Sequence, residues 1–276
     1  MKLRQLKSQL IQKASKLETP ALEVRLCIEK VLSMPIEKQI LNSELEINDS
    51  DAEEICNLLQ KRLEGKPMAY ILGEKEFYGH KFKVDKNVLI PRPDTELLVE
   101  KTIEIANTKH NPKILDLCTG SGAIAASVSY ALDQDVFFSD ISNAALEIAK
   151  FNYENITNRK PNARLGSLFE CWKDHTFDII STNPPYLTRK WYEETEIEVK
   201  QEPVLALVDY AEDGLDIIRE IIDEAPSHLN TDGYLLIEGD YRQMENCAKI
   251  LSSKGFKDIV ILKDLNGKDR VVYGRK

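Results

Sequence analysis

Asn183-Pro184-Pro185-Tyr186 is the segment whose residue types are best suited to holding a reacting group. It follows the apolar run 177–181, which reads as a strand, so it falls at a strand's carboxyl end, where open α/β sheets bind ligands. The prolines restrict the backbone. The Asn183 side-chain carbonyl and the Pro184 main-chain carbonyl then form a pair of held acceptors. Such a pair suits a planar NH2 group, whose delocalised lone pair makes it a poor nucleophile. That group needs both N–H bonds held and its lone pair aimed at the carbon it attacks. The same acceptors favour the positive charge that grows on the nitrogen, and Tyr186 offers a flat face to the target. The plainer alternative is a proline-stiffened turn with a surface tyrosine.

A second constellation precedes it. Cys118-Thr119-Gly120-Ser121-Gly122 lies between an apolar run, 114–117, and an alanine-rich stretch, 123–131. Glycines in such a turn let a ligand approach the backbone closely. Asp140 stands 20 residues after Gly120, at the end of the next predicted strand. A carboxylate so placed can bind ribose hydroxyls. A turn that merely packs a helix is the alternative. The spelling is not the Gly-x-Gly-x-x-Gly of dinucleotide enzymes, and a nicotinamide-dependent oxidoreductase would leave Asn183–Tyr186 without a role. Cys118 has no His or Lys beside it in sequence to activate it as a nucleophile.

Strands and helices alternate from residue 113 onward, with strands expected at 113–117, 135–139, 177–181, 234–238, 259–262 and 270–273, and helices at 123–131, 144–155 and 214–225. Repeated β-α units imply a mostly parallel sheet with helices on both faces and right-handed crossovers. The first 66 residues read instead as short helices. Leu3, Leu6, Leu10, Ala14 and Leu17 mark one helical face, and Leu22, Leu26, Ile28 and Leu32 a second. Thr19-Pro20 reads as a cap with proline at the first helical position, and Ser50 with Glu53 as a capping box ahead of Ile55, Leu58, Leu59 and Leu63, with Gly65 ending that helix. Short helices need neighbours, so a small bundle is expected. In 67–93, the aromatic or β-branched runs 69–72, 75–78 and 81–84, broken by Gly73 and Gly79, read as a hairpin connector. Pro91 and Pro93 stiffen the entry to a helix near Asp94.

A chain of 276 residues, 42% hydrophobic and 30% charged, has material for about two packed domains. Its net charge of −9 is a poor match for a phosphate backbone. Residues 1–66 carry eleven basic and eleven acidic side chains, so 67–276 hold the whole excess. No apolar run of about 18 residues suggests a membrane span, and the start lacks the apolar core of a secretory signal. That start is basic and acid-free up to Glu18, which leaves a mitochondrial transit peptide as an alternative. Cys27, Cys56, Cys118, Cys171 and Cys247 form no Cys-x-x-Cys pair, so free thiols are expected, and the isolated His80, His110, His175 and His228 suggest no metal site. Glu193, Glu194, Glu196, Glu198 and Glu202 read as a solvated face or, alternatively, a docking surface for a basic protein. Trp172 and Trp191 read as packing residues, and Arg92 as either structural or substrate-binding.

Asp116-Leu117-Cys118-Thr119-Gly120-Ser121-Gly122 resembles the first motif of class I S-adenosylmethionine-dependent methyltransferases, many of which carry glycine at the place of Cys118. Asn183-Pro184-Pro185-Tyr186 resembles the catalytic motif of the adenine, guanine and glutamine methyltransferases. Four further segments resemble the release-factor glutamine methyltransferases. They are Ile90-Pro91-Arg92-Pro93-Asp94-Thr95-Glu96, Gln201-Glu202-Pro203 with Ala206-Leu207, Asp213-Gly214-Leu215, and Asp264-Leu265-Asn266-Gly267 with Asp269-Arg270-Val271-Val272. Glu238-Gly239-Asp240 departs from that family, where histidine often precedes the glycine.

The resemblance covers 67–276 by motif and 1–66 by helical character. It implies an α/β fold with a Rossmann-like sheet of seven strands, the last antiparallel. The domains would be a helical substrate-docking domain (1–66), a β-hairpin connector (67–93) and a methyltransferase domain (94–276). The implied reaction is methylation of the N5 amide nitrogen of the glutamine in the Gly-Gly-Gln motif of peptide chain release factors. S-adenosylmethionine would be held by Cys118, Thr119, Gly120, Ser121, Gly122, Asp140, Leu168 and Asn183. Asn183, Pro184 and Tyr186 would be catalytic, and Asn183, Pro184, Pro185 and Tyr186 would hold the substrate. A cytoplasmic monomer is expected, with a release factor as partner and without nucleic acid, membrane or metal. A nucleic-acid amino-methyltransferase and a non-catalytic binding protein remain the alternatives.

Overall fold

The computed structural model describes residues 1–276 and divides into two compact units, Met1–Glu74 with Ile197–Gln201, and Lys75–Glu196 with Glu202–Lys276. The first unit is helical: α1 (Leu3–Lys13), α2 (Pro20–Leu32), α3 (Ile36–Leu41), α4 (Asp49–Leu63) and α5 (Met68–Leu72). Leu3, Leu6, Leu10 and Ala14 are buried at the expected spacing and pack with Val24, Cys27, Ile28, Ile55 and Leu59. Three expectations shift here. The buried face of α2 turns on Val24, Cys27 and Ile28, while Leu22 is exposed. The cap of α4 is Asn48, whose side chain accepts from Asp51 N, instead of Ser50. Residues 68–72 form a helix where an extended run is expected. Pro67 opens that turn, Gly73 closes it in a left-handed conformation, and packing against α2 and α4 overrides the β-branched composition. Arg62, buried at the end of α4, pairs with Glu23 of α2 and with Glu198.

The second unit begins with the hairpin of β1 (Glu74–Phe77) and β2 (His80–Lys83). It continues through α6 (Glu96–Ala106), β3 (Ile114–Leu117), α7 (Ala123–Leu132), β4 (Phe137–Asp140), α8 (Asn143–Thr157), β5 (Asn162–Leu165) and β6 (Phe177–Thr182). It ends with α9 (Arg189–Glu193), α10 (Asp216–His228), β7 (Leu229–Glu238), α11 (Met244–Ser253), β8 (Lys257–Lys263) and β9 (Asp269–Arg275). The seven-stranded sheet has the order β5-β4-β3-β6-β7-β9-β8. All neighbours are parallel except β9, which runs antiparallel to both β7 and β8. This is the expected architecture. The β5 strand, polar and partly exposed, lacks the apolar run that marks the others in sequence.

Central strands are buried on both faces, so adjacent residues enter opposite cores. Ile114, Ile179 and Leu236 pack with α6, α7 and α8 residues such as Leu98, Val128 and Tyr153. Leu115, Ile180 and Leu235 pack with Ile218, Ile222 and Leu251 on the other side. The hairpin is tied down by Asn152 of α8, which accepts from Lys83 N at 2.8 Å and donates to Lys83 O at 3.0 Å and to Ser121 O at 2.8 Å. No helix is long and apolar enough to cross a membrane.

Candidate active site

Strand register assembles the site. Parallel pairing sets Leu117 opposite Ser139 and Thr182, and Thr182 opposite Ile237. The residues that follow on the four strands are Asp140, Cys118, Asn183 and Glu238, so they form one row across the carboxyl ends of β4, β3, β6 and β7. Thr182 Oγ1 donates to Leu117 O at 3.0 Å and joins the two central strands just below that row.

On the first side of the row, the chain leaves β3 through three left-handed residues, Cys118 (φ 58°), Gly120 (φ 55°) and Gly122 (φ 80°). A glycine at position 118 would adopt this conformation at lower cost. Buried Asp116 braces the turn: its Oδ2 accepts from Thr119 Oγ1 at 2.6 Å and Ala125 N at 3.2 Å, while Oδ1 has no partner. Burial pushes the Asp116 carboxyl up to about 7, against these two hydrogen bonds. Asp140 reaches the turn from β4. Its Oδ2 accepts from Gly120 N at 2.9 Å and its Oδ1 from Ser142 N at 2.8 Å. Burial raises its carboxyl although both of those N–H groups oppose the rise. Burial and the Asp140 charge together raise the Cys118 thiol so far that it stays protonated, which removes it as a nucleophile.

These residues line one cavity. Cys118, Thr119, Gly120, Ser121, Asp140, Leu168, Asn183 and Pro185 of the expected set are on its wall. Gly122 is set back, packed against Ala149 of α8. Ser167 and Leu168 both reach the cavity, whereas Phe169 is buried in the core. Pro184 and Tyr186 do not line it. Burial beside Glu238 raises the Tyr186 phenol far above its ordinary range. The Tyr186 carbonyl is clamped: Gln243 Nε2 donates to it at 2.9 Å, and a side chain at Gly214 would collide with it.

Asn183 is held from behind. Its Nδ2 donates to Glu238 Oε1 at 2.9 Å and, at 3.4 Å, to Thr95 Oγ1, and Thr95 Oγ1 donates to Glu238 Oε1 at 3.2 Å. Glu238 is 1% exposed, and burial pushes its carboxyl up to about 7. Arg92, also on the cavity wall, pairs with buried Glu202, whose other oxygen accepts from Ile90 N at 2.9 Å. Two segments 110 residues apart thus form one clamp. The acidic run is therefore not one face: Glu198 pairs with Arg62 and Glu202 with Arg92, while Glu193, Glu194 and Glu196 are exposed. Trp172 is a packing residue, its Nε1 donating to Ser139 Oγ at 2.9 Å. Trp191 lies under the Arg242 guanidinium, 3.5 Å from the ring centroid.

The residues fit S-adenosylmethionine. The Asp140 oxygens each accept one backbone N–H and keep a lone pair for ribose hydroxyls. A Cβ at Gly120 would meet no atom within 4 Å, so the turn leaves room beside its backbone. Sheet order, glycine turn and acid together define a class I S-adenosylmethionine-dependent methyltransferase. The fold agrees with solved structures: a methyltransferase from Pyrococcus furiosus matches with a TM-score of 0.56 at 17% identity, over 80% of this chain and 98% of that one. A T. thermophilus 16S rRNA methyltransferase in complex with AdoMet and guanosine matches with a TM-score of 0.53 at 18% identity, over 74% and 49%.

Residues 2–73 match the model of the PrmC N-terminal domain, and 93–204 that of the methyltransferase small domain. A release factor glutamine methyltransferase from Neisseria gonorrhoeae is 38% identical over 93% of this chain and 93% of its own length. Those from Coxiella burnetii and Clostridium botulinum are 34% and 35% identical, covering 94% and 92% of this chain and 93% and 92% of themselves. The chain belongs to the release factor glutamine methyltransferase family.

Thr95, Gln243 and Arg270 are site residues to which the sequence assigned no individual role, and Glu238 read only as a packing or substrate-side departure. Thr95 and Arg270 lay inside segments resembling the family and Glu238 in one that departs from it, but their convergence depends on register and on contacts across as many as 143 positions.

Proposed function

We propose that this enzyme methylates the N5 nitrogen of the glutamine in the Gly-Gly-Gln motif of a peptide chain release factor. The carrying observation is that Asn183 and the Asp140–Gly120 pair line the same cavity. Bound there, S-adenosylmethionine supplies an electrophilic methyl group on a sulfonium. Asp140 holds the ribose hydroxyls. The turn from Cys118 to Gly122 would hold the methionine part, and Leu168 the adenine. Asn183 Oδ1 and the Pro184 carbonyl accept the two N–H bonds of the glutamine amide and aim its lone pair at the methyl carbon. Pro185 completes the wall of the substrate position, and Tyr186 supports it from behind through its clamped carbonyl. No strong base is required beforehand, because the proton becomes acidic only as the nitrogen gains positive charge, which the two acceptors favour; the transfer would leave S-adenosylhomocysteine and release that proton to solvent.

The helical unit serves as a docking element for the release factor, since one amide offers little to recognise and remote contacts can supply orientation. A cytoplasmic monomer is the form this reading implies. The test is mass spectrometry of a purified release factor incubated with the enzyme and S-adenosylmethionine. One added methyl on the glutamine of Gly-Gly-Gln is expected. An unmodified release factor, with methyl found instead on adenine or guanine amines of added RNA or DNA, overturns the reading.

A further inference from the structure

An asparagine amide can sit in its pocket in two orientations, and only one presents a carbonyl oxygen to a substrate N–H. We propose that Glu238 is the positioning residue for methyl transfer: its buried carboxylate, acting with Thr95, fixes the Asn183 amide so that Oδ1 faces the substrate nitrogen. The proposal rests on the reading of Asn183 as an acceptor.

The hydrogen bonds run in one direction. Thr95 spends its only hydroxyl hydrogen on Glu238 Oε1, so towards Asn183 it can only accept. An ionised Glu238 also only accepts. Asn183 Nδ2 therefore meets two acceptors, at 2.9 and 3.4 Å. In the flipped amide Oδ1 would face both of them, which is repulsive. No protein donor engages Oδ1, and it is not among the buried unpartnered atoms. Packing alone does not explain an acid here. Glu238 is buried, its Oε2 has no partner, and neither nearby arginine pairs with it: Arg92 is engaged by Glu202, and Arg270 by Asp94 and Asp264. A neutral residue would cost less at that position.

The charge state of Glu238 therefore matters. A protonated Glu238 can donate as well as accept, and so can hold either end of the amide. The groups that face it are Thr95, Asp94, Arg92 and Arg270 and, from the loop after β6, Asn183 and Tyr186, the last also facing Asp240. Burial opposes ionisation, with Asp94 adding to it and Thr95, Arg270 and Arg92 resisting. Turnover should rise with pH across neutrality as the carboxylate forms.

The experiment uses the full chain, S-adenosylmethionine and purified release factor in single-turnover assays from pH 6 to pH 9. Glu238→Gln should lower the rate at least tenfold at pH 8, leave S-adenosylhomocysteine affinity within twofold, and abolish the rise across neutrality. In an Asn183→Ala background the same substitution should have no further effect, because Glu238 acts through Asn183. Thr95→Val, the second variant, removes a hydrogen bond that favours the carboxylate, so the rise should move to higher pH. A Glu238→Gln enzyme with wild-type rate and pH profile beside an impaired Asn183→Ala enzyme overturns the positioning role alone. An equal loss from Glu238→Gln in both backgrounds overturns it too. An Asn183→Ala enzyme at full rate refutes the acceptor reading itself and the positioning role with it.

Discussion

Asp140→Asn isolates the charge of the acid proposed to hold the ribose while keeping its shape. In the wild type the two carboxylate oxygens face two backbone donors, Gly120 N at 2.9 Å and Ser142 N at 2.8 Å. An amide has one oxygen, so its NH2 must meet one of these N–H groups, donor against donor. The variant loses one charge-assisted bond to the turn and weakens the acceptor offered to the ribose. A hydrogen bond to a charged group contributes about 1.5–3 kcal/mol. Loss of one at the ribose corresponds to a rise in Kd of roughly 10- to 150-fold. Calorimetric titration with S-adenosylhomocysteine at pH 8 measures it, with a thermal melt to establish that the variant is folded. Because burial raises the Asp140 carboxyl, wild-type affinity should also weaken as pH falls into the acid range, while the variant's stays flat. A folded Asp140→Asn protein with Kd within twofold of wild type would refute the ribose assignment.

Asn183→Ala should bind S-adenosylhomocysteine nearly normally yet lose methyl transfer by orders of magnitude, since acceptor positioning acts on the transition state; a near-normal single-turnover rate would contradict it. Arg62→Met leaves Glu23 and Glu198 without their shared partner in a site where Arg62 and Glu23 side chains are each 9% exposed, and should cost about 3–5 kcal/mol in urea unfolding. The Asp116 carboxyl is raised from 3.8 to about 7, so the folded state binds its proton more tightly than the unfolded one, and its contribution is full at acid pH and lost as pH rises through 7. Asp116→Asn should therefore gain on wild type by about 1.4 kcal/mol per pH unit between the two values and level off above them, as read from melting curves across pH; a parallel pair of curves would count against the buried ionisation.

Sequence pattern carried most of the methyltransferase unit because its strands are buried on both faces. Runs such as 114–117 and 177–181 stand out as apolar blocks, and the glycine turn and the Asn-Pro-Pro segment lie at their ends. The β5 strand lacked that signal because Asn162, Arg164 and Leu165 are not enclosed by the cores. The α5 helix misled for the opposite reason: Tyr70 and Ile71 look extended by composition, and their burial against other helices decides. Glu198 and Glu202 read as members of a charge run, since nothing local shows that Arg62 and Arg92 will face them. Sequence distance hides partners, so Glu238 could be noticed as an unusual spelling but not as the neighbour of Asn183.

The row formed by Asp140, Cys118, Asn183 and Glu238 explains why so few groups suffice for a difficult transfer. Methylating an amide nitrogen asks for placement more than for acid or base strength, and misplacement of about 1 Å can cost a hundredfold in rate. Parallel register supplies that placement across four strands, and side chains alternate faces, so a slip of one residue in β6 would turn Asn183 away from the cavity. The two cores hold the strands from above and below, with Ile179 and Ile180 of β6 in opposite ones. Thr182 ties β6 to β3 where the two loops part. The acceptors thus inherit their rigidity from the most buried part of the sheet, while the ligand-facing residues are left to the turns. In this arrangement the same strand pairing that stabilises the fold sets the distance between Asp140 and Asn183.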